Sequence, residues 1–290
     1  MPGSRALRLN RRKLRVALLA LTLVVAAATA IALMLNQSSN LTVTKYSVGE
    51  GNVVIRITQL SDTHFTSWSE RVARLANLVI STHPDMIVIT GDAVSNAEGL
   101  NTLRKFLALV REGLPNTPIY AVPGNWERGL GLTGKEARIL KEYGGTMLIN
   151  QYVTLRVKNV NMVVVGLDDM IYGRPNASII KSLPNADTYV LLVHEPELAL
   201  KAAKEGFKGL VLAGHCHGGQ VKILGHPLLL PQGCPRNMFE GMHKVGNTTL
   251  VISRGIGTTI LPLRIGSEPE VVVINLRVSS GQESITPSPG

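Results

Sequence analysis

The sequence predicts an α/β fold of two stacked β-sheets with helices on their outer faces, four layers in the order α-β-β-α, preceded by one N-terminal transmembrane helix. Three observations predict it. From residue 52 onward short apolar runs alternate with amphipathic segments, as strands feeding helices do. After Gly145 the texture changes to a second, strand-rich half. Ahead of both lies a twenty-residue run without a charge, Val16 to Leu35, flanked by cations.

In the first half, Val53 to Leu60, Met86 to Thr90 and Pro118 to Val122 read as strands. Between and after them, Ser69 to Ser81, Leu100 to Val110 and Gly134 to Tyr143 read as helices, the first with Val72, Leu75, Leu78 and Val79 on one face. This order implies parallel strands with helices packed against the sheet. In the second half, Tyr152 to Val157 and Asn161 to Leu167 predict a hairpin turned by Lys158-Asn159. Strand Thr188 to Val193, helix Pro196 to Glu205 and strand Leu210 to Ala213 follow. Gln220 to Leu224, Gly241 to Val245, Thr248 to Ser253 and Glu270 to Leu276 complete the strands. These make one domain, residues 52–278, with no internal repeat.

At 290 residues and 45% hydrophobic the chain can bury a large core. The net charge is +10, but Arg5, Arg8, Arg11, Arg12, Lys13 and Arg15 supply six of it, leaving +4 for the rest. With 4% aromatic residues, that argues against a nucleic-acid groove. Residues 1–15 form a basic cytoplasmic tail and 16–35 the anchor, long enough at ~1.5 Å per residue to span a bilayer's hydrocarbon core. The excess of cations before it puts the catalytic domain on the extracytoplasmic side. Asn10 to Arg15 loosely resembles a twin-arginine export signal, and Ala28-Thr29-Ala30 offers a cleavage site if the run is a signal rather than a retained anchor. Residues 36–51 are a polar linker running into an edge strand, and 279–290, rich in Ser, Pro and Gly, a disordered tail. The two cysteines, Cys216 and Cys234, give no disulfide framework, and a core this size does not need one. Cys216 is expected to pack away from its histidine neighbours in an extended segment.

In open α/β sheets functional groups sit just past the carboxyl ends of strands. Those ends carry Asp62 and His64, then Asp92, then Asn125 in Gly124-Asn125-Trp126-Glu127, then His194, and finally His215 and His217. Each alone has an ordinary explanation, as a helix cap, a turn or a buried histidine. Together, three oxygen donors and four imidazoles are what two adjacent borderline cations need.

The pattern Asp62-Thr63-His64, Gly91-Asp92, Gly124-Asn125-Trp126-Glu127, His194 and Gly214-His215-Cys216-His217 resembles the calcineurin-like metallophosphoesterases, over about residues 52 to 277. Gly218-Gly219-Gln220, Ser253 to Gly257 and Pro262-Leu263-Arg264 resemble the exported or membrane-anchored bacterial and archaeal branch. The resemblance implies that Asp62, His64 and His217 hold one metal, that Asn125, His194 and His215 hold the other, and that Asp92 bridges them. Two such cations, ~3.5–4 Å apart, clamp a phosphoryl oxygen and acidify a shared water. The donor mixture accepts Mn, Fe, Zn or Co.

One position departs from the family. A histidine usually follows the asparagine and serves the leaving oxygen; here it is Trp126, which cannot transfer a proton. Leaving groups that depart unaided, as in pyrophosphates and aryl esters, are then favoured. The related UDP-diacylglucosamine pyrophosphohydrolases also lack the histidine. Glu127, Arg128, His226, Arg236, His243 and Arg254 are candidates to compensate, with Arg254 either a phosphate contact or an ordinary surface or ion-paired arginine. The expectation is a phosphoesterase acting on a phosphodiester, pyrophosphate or phosphomonoester, carried by a small molecule or by a lipid in the cell envelope. Asp92, Asn125 and His215 are its central catalytic residues. The alternative is a phosphoesterase-fold scaffold without turnover. The Leu-rich stretch Gly225 to Pro231 is either a lipid contact or core beneath a loop. Oligomeric state is left open.

Overall fold

The computed structural model describes residues 13–25 and 40–279. Residues 13–25 form a helix, α1, exposed along its length, and among the described residues no helix is long and apolar enough to cross a membrane. The rest of the apolar run, the Ala28-Thr29-Ala30 motif and the C-terminal tail from residue 280 lie outside the described residues.

Two six-stranded sheets stack face to face. The first contains β1 (Thr42–Gly49), β2 (Val53–Leu60), β3 (Met86–Thr90), β4 (Ile119–Val122), β5 (Gly145–Met147) and β14 (Glu270–Val278), in the order β1-β14-β2-β3-β4-β5. The second contains β6 (Gln151–Val157), β7 (Val160–Gly166), β8 (Thr188–Leu192), β9 (Gly209–Ala213), β12 (Gly241–Val245) and β13 (Thr248–Ile252), in the order β12-β13-β9-β8-β7-β6. A small ribbon, β10 (Lys222–Ile223) with β11 (His226–Pro227), stands apart. Both sheets are mixed, because each parallel centre acquires an antiparallel partner: β14 beside β2 in one, β6 and β12 at the edges of the other.

Side-chain alternation along the strands generates the layers. On β2 and β3, Ile55, Ile57, Met86 and Val88 point inward to meet Met162, Val164, Leu210 and Leu212 of the facing sheet. The alternate residues Ile87 and Ile89 point outward to Leu75, Val79, Leu103 and Phe106. Those belong to helices α2 (Glu70–Ser81) and α3 (Gly99–Gly113), beside α5 (Thr133–Glu142). On the other side, Val163, Val165, Leu191 and Val211 meet Leu198, Ala199 and Ala202 of α6 (Glu197–Lys204). Three apolar layers therefore separate four structural ones, α-β-β-α.

Two elements differ from expectation, while the edge strand expected at the end of residues 36–51 is present as β1, which pairs in parallel with β14 at the edge of the first sheet. Its alternating half-buried and exposed residues, Thr42 to Val48, give it one face on the sheet. A five-residue helix, α4 (Asn125–Gly129), follows β4 directly, too short to show a 3.6-residue period. The Gln220 to Leu224 strand shrinks to the two residues of β10.

Leu212 is fully buried between the sheets. Leu212→Ala should lower unfolding free energy by ~2–5 kcal/mol, read from the denaturant midpoint at unchanged m-value.

Candidate metal centre

All the strands that deliver candidate ligands end at one side of the sandwich, and their loops are laced together. Asp62 and His64 donate backbone N–H to the carbonyls of Gly91 and Asp92, at 3.0 Å each. Gly214 N–H reaches the His194 carbonyl at 3.0 Å, and Gly257 N–H the Asp62 carbonyl. These bonds hold Asp62, His64, Asp92, His215 and His217 in the left-handed backbone region, with φ between 47° and 71°. For such residues that costs on the order of 1–3 kcal/mol each, and it aims the side chains inward. Gly124 and Gly214 make room: a Cβ on the first would overlap Asp92 Oδ1, and on the second Ser61 Oγ. The residues around Cys216 are therefore not extended. His215 and His217 are left-handed while Cys216 is helical, and this turn sends the two rings to different groups.

The first group is Asp62, His64 and His217, the second Asp92, His194 and His215, and all six are buried. In the second, three atoms surround His194 Nε2: Asn125 Oδ1 at 3.1 Å, His215 Nδ1 at 3.1 Å and Asp92 Oδ2 at 3.2 Å. Outer partners fix the tautomers. His194 Nδ1 donates to the Thr90 carbonyl at 2.8 Å and His215 Nε2 to the Gln232 carbonyl at 2.8 Å. In the neutral rings, His194 Nε2 and His215 Nδ1 then present lone pairs to two further oxygen acceptors. Four lone pairs facing one point fit a cation better than any hydrogen-bond scheme.

The protonation tendencies carry the same signal. Burial pushes His194 toward neutrality, but the Asp92 carboxylate outweighs it and raises the ring well above its ordinary value. Burial likewise opposes ionisation of Asp92, yet His194 and His64 hold that carboxyl far below the usual range. His64 and His215 are lowered to about 4 by burial, so both are neutral near pH 7. Asp62 is raised to about 6 by burial, partly offset by His194.

The first group is tied to the second through Asp92, whose Oδ2 lies 3.6 Å from His64 Nε2. His64 Nε2 and His217 Nε2 approach to 3.2 Å, and Asp62 Oδ1 lies 3.5 Å from the latter. Arg264, fully buried, donates to His217 Nδ1 at 3.1 Å and to the Gly257 carbonyl at 2.6 Å. A guanidinium only donates, so His217 Nδ1 accepts and the ring's hydrogen sits on the site side. His217, unlike His215, is not preset as a ligand by its outer partner.

The neighbouring candidates divide clearly. Trp126 stands edge-on to His64, ring centroids 5.4 Å apart, and its backbone N–H donates to Asp92 Oδ1 at 2.9 Å. Glu127 is buried in a cage of the Asp92, Val94 and Gly124 N–H groups, which makes it a clamp on the loops. Arg128 is paired with Asp168. Arg254, read as either a phosphate contact or an ion-paired arginine, pairs with Glu270 at 2.8 Å and donates to the Glu268 carbonyl at 3.0 Å. His243 bonds the Glu240 carbonyl on β12, and His226 is exposed on β11. Sequence reading missed the role of Arg264, because a lone arginine in a Gly/Pro-rich loop carries no burial signal.

It missed the disulfide as well. Cys216 and Cys234 are joined, a bond that the pair's spacing did not predict, and Cys216 is packed as expected, 1% exposed, beneath the second sheet. The bond straps the loop carrying Gln232, the acceptor for His215, to the turn carrying His215 and His217.

Residues 55–226 match the model of the calcineurin-like phosphoesterase family. The chain belongs to that family. It is similar to YkuE of Bacillus subtilis, named an uncharacterized metallophosphoesterase, at 30% identity over 228 residues, covering 77% of this chain and 79% of that protein. YkoQ of the same organism is 30% identical over 222 residues, with 75% and 82% covered. YaeI of Escherichia coli, named a phosphodiesterase, is 27% identical over 230 residues, with 76% and 82% covered. As a calcineurin-like phosphoesterase with two groups of candidate metal ligands, the chain is a metal-dependent phosphoric ester hydrolase.

Because the Asp92 carboxylate raises His194 well above its ordinary value, a cation that takes the place of the proton on its ring should release that proton. Calorimetric titration with Mn²⁺ near neutral pH, in buffers of differing ionisation enthalpy, should show net proton release, diminished in His194→Gln. Uptake with no release would mean that His194 is neutral before loading. A second measurement concerns the strap: Cys234→Ser should weaken Mn²⁺ binding by about 10-fold, the range seen when an outer partner of a ligand is lost. Unchanged affinity would show that Gln232 holds its place without the bond.

Proposed function

We propose that the protein is a two-metal phosphoesterase, held by its N-terminal segment at the extracytoplasmic face of the cell membrane, that cleaves phosphodiester or pyrophosphate bonds. The observation that carries the two-metal reading is the position of Asp92. One carboxylate oxygen faces His64 of the first group and His194 of the second, 3.6 Å and 3.2 Å away. Bound divalent cations, Mn, Fe, Zn or Co, would supply Lewis acidity to the phosphoryl oxygens and lower the pKa of a water toward neutrality.

The chain's own residues do the rest. Asp62, His64 and His217 would hold one cation; Asn125, His194 and His215 the other; Asp92 would hold both. The Thr90 and Gln232 carbonyls fix the rings of His194 and His215, so no reorganisation is needed when charge develops. Trp126 occupies the flank of His64 and offers the leaving oxygen no proton. Arg128 is committed to Asp168 and Glu127 to three backbone N–H groups, so neither replaces that acid. Leaving groups with low pKa are therefore favoured over alkyl alcohols. The diester preference also follows the name of YaeI.

Two features support the location. The charge-free run 16–35 behind a basic tail suits a membrane anchor oriented with its N-terminus inside. The Cys216–Cys234 disulfide suits an oxidising exterior. The natural substrate is a phosphorylated small molecule or a lipid-linked phosphate of the envelope.

Mn²⁺-loaded full-length protein should turn over bis-p-nitrophenyl phosphate, and Asp92→Asn should lower kcat at least ~10²-fold while the protein stays folded. Trp126→His should improve hydrolysis of alkyl phosphomonoesters more than of aryl diesters. Two bound metals with no turnover on any ester would favour the scaffold reading, which Trp126 alone supports.

A further inference from the structure

Beyond the metal centre, the most unusual surface is made by two loops that leave it. The segment after His217 runs through Gln220 into the β10–β11 ribbon, and the segment after Gly257 runs through residues 258–263. They are fastened to each other: the Gln220 side-chain amide donates to the Thr259 and Leu261 carbonyls, at 2.9 Å and 3.0 Å. Lys222 N–H reaches the Ile265 carbonyl and Ile265 N–H the Gln220 carbonyl, at 2.8 Å and 2.9 Å.

On this joined tip Ile223, Leu224, Leu228, Leu229, Ile260 and Leu261 are all exposed, Leu224 by 94%, Leu229 by 85% and Ile260 by 96%. Scattered apolar residues are normal on surfaces; six on two interlocked loops are not. Leu224 and Ile260 are moreover left-handed, with φ of 52° and 60°. Turns of that shape ordinarily take Gly or Asn, and a β-branched residue there is a genuine outlier. Stability explains neither their conformation nor their exposure.

Sheet register says what lies opposite. β14 is antiparallel to β2 and β1 is parallel to β14, with Thr42 beside Glu270 and Val272 beside Gln59. The start of β1 therefore lies at the end of the sheet where β2 delivers Asp62, and Thr42 N–H bonds the Pro269 carbonyl there. From the last residue of the charge-free run, Leu35, seven residues lead to Thr42. Even fully extended they reach only ~25 Å. An anchor in the bilayer thus holds the metal-bearing end of the domain, and not its far end, within that distance of the lipid.

We propose that these six side chains form a bilayer-docking surface, seating the apolar tip in the lipid interface so that the metal centre opens onto the headgroup layer. The inference rests on the anchored reading above. Its occupant is a lipid bilayer, because the neighbouring tether places one within reach.

The test uses full-length protein in phosphatidylethanolamine–phosphatidylglycerol vesicles whose acyl chains carry bromine. Leu229→Trp and Ile260→Trp report on the tip, and Asn247→Trp, exposed in the β12–β13 turn at the opposite end, serves as control. Interfacial apolar elements sit ~5–10 Å into the headgroup and acyl boundary, so about half of the fluorescence added at 229 and 260 should be quenched, and none at 247. Vesicle flotation reports the anchor separately, and turnover of bis-p-nitrophenyl phosphate reports the enzyme reading separately. Flotation without quenching at 229 and 260 would overturn the docking surface and leave the anchor standing. Equal quenching at all three positions, or crosslinked dimers through the tip, would also overturn it. Failure to float would overturn anchor and surface together.

Discussion

Everything at the functional end of this protein depends on burying Asp92 among histidines. A carboxylate taken out of water is tolerated only beside compensating positive charge. His194 favours it, because the Asp92 carboxylate raises the ring well above its ordinary value against the opposing effect of burial. The left-handed ligand residues, the glycines pressed against Asp92 and Asp62, and the lacing between loops all hold that arrangement against its own repulsions. The pocket is thus arranged around positive charge, and a cation held by the same residues would supply it.

The outer partners divide the labour unevenly. The second group has its rings set by backbone carbonyls, which cannot change protonation. The first group leans on Arg264, whose guanidinium is buried with its hydrogens spent on His217, Gly257 and Arg254. Burial lowers that guanidinium to about 10, still charged at neutral pH. Two sites that look alike in ligand chemistry thus differ in how firmly their imidazoles are prepared.

Much of this was legible in the sequence. Strands such as Val53–Leu60 and Gly209–Ala213 announce themselves as apolar runs, and period-two burial then gives the layers. The seven ligand candidates are visible because each follows a strand, where chemistry in such sheets collects. What sequence could not show depends on partners far along the chain. Arg254 reads equally as a phosphate contact or an ion-paired arginine until Glu270 is placed beside it. Cys216 and Cys234 give no framework in the sequence, and only the fold brings their Cα atoms to 5.8 Å. The extended conformation expected at Cys216 failed for a local reason, since left-handed histidines defy residue preference and are imposed by the surrounding loops.

The topology of the first sheet has a consequence for how the molecule is made. Its last strand, β14, is inserted between its first two, bonding β1 on one side and β2 on the other. A nascent chain therefore cannot close this sheet until its C-terminal residues have left the ribosome. Pairings of such long sequence separation are entropically late and slow to form. Until then β2 lacks a neighbour along one edge, although it carries the buried Ile55, Ile57 and Leu60. The domain is completed from its end rather than from its beginning, and shortening β14 would leave β1 with nothing to join.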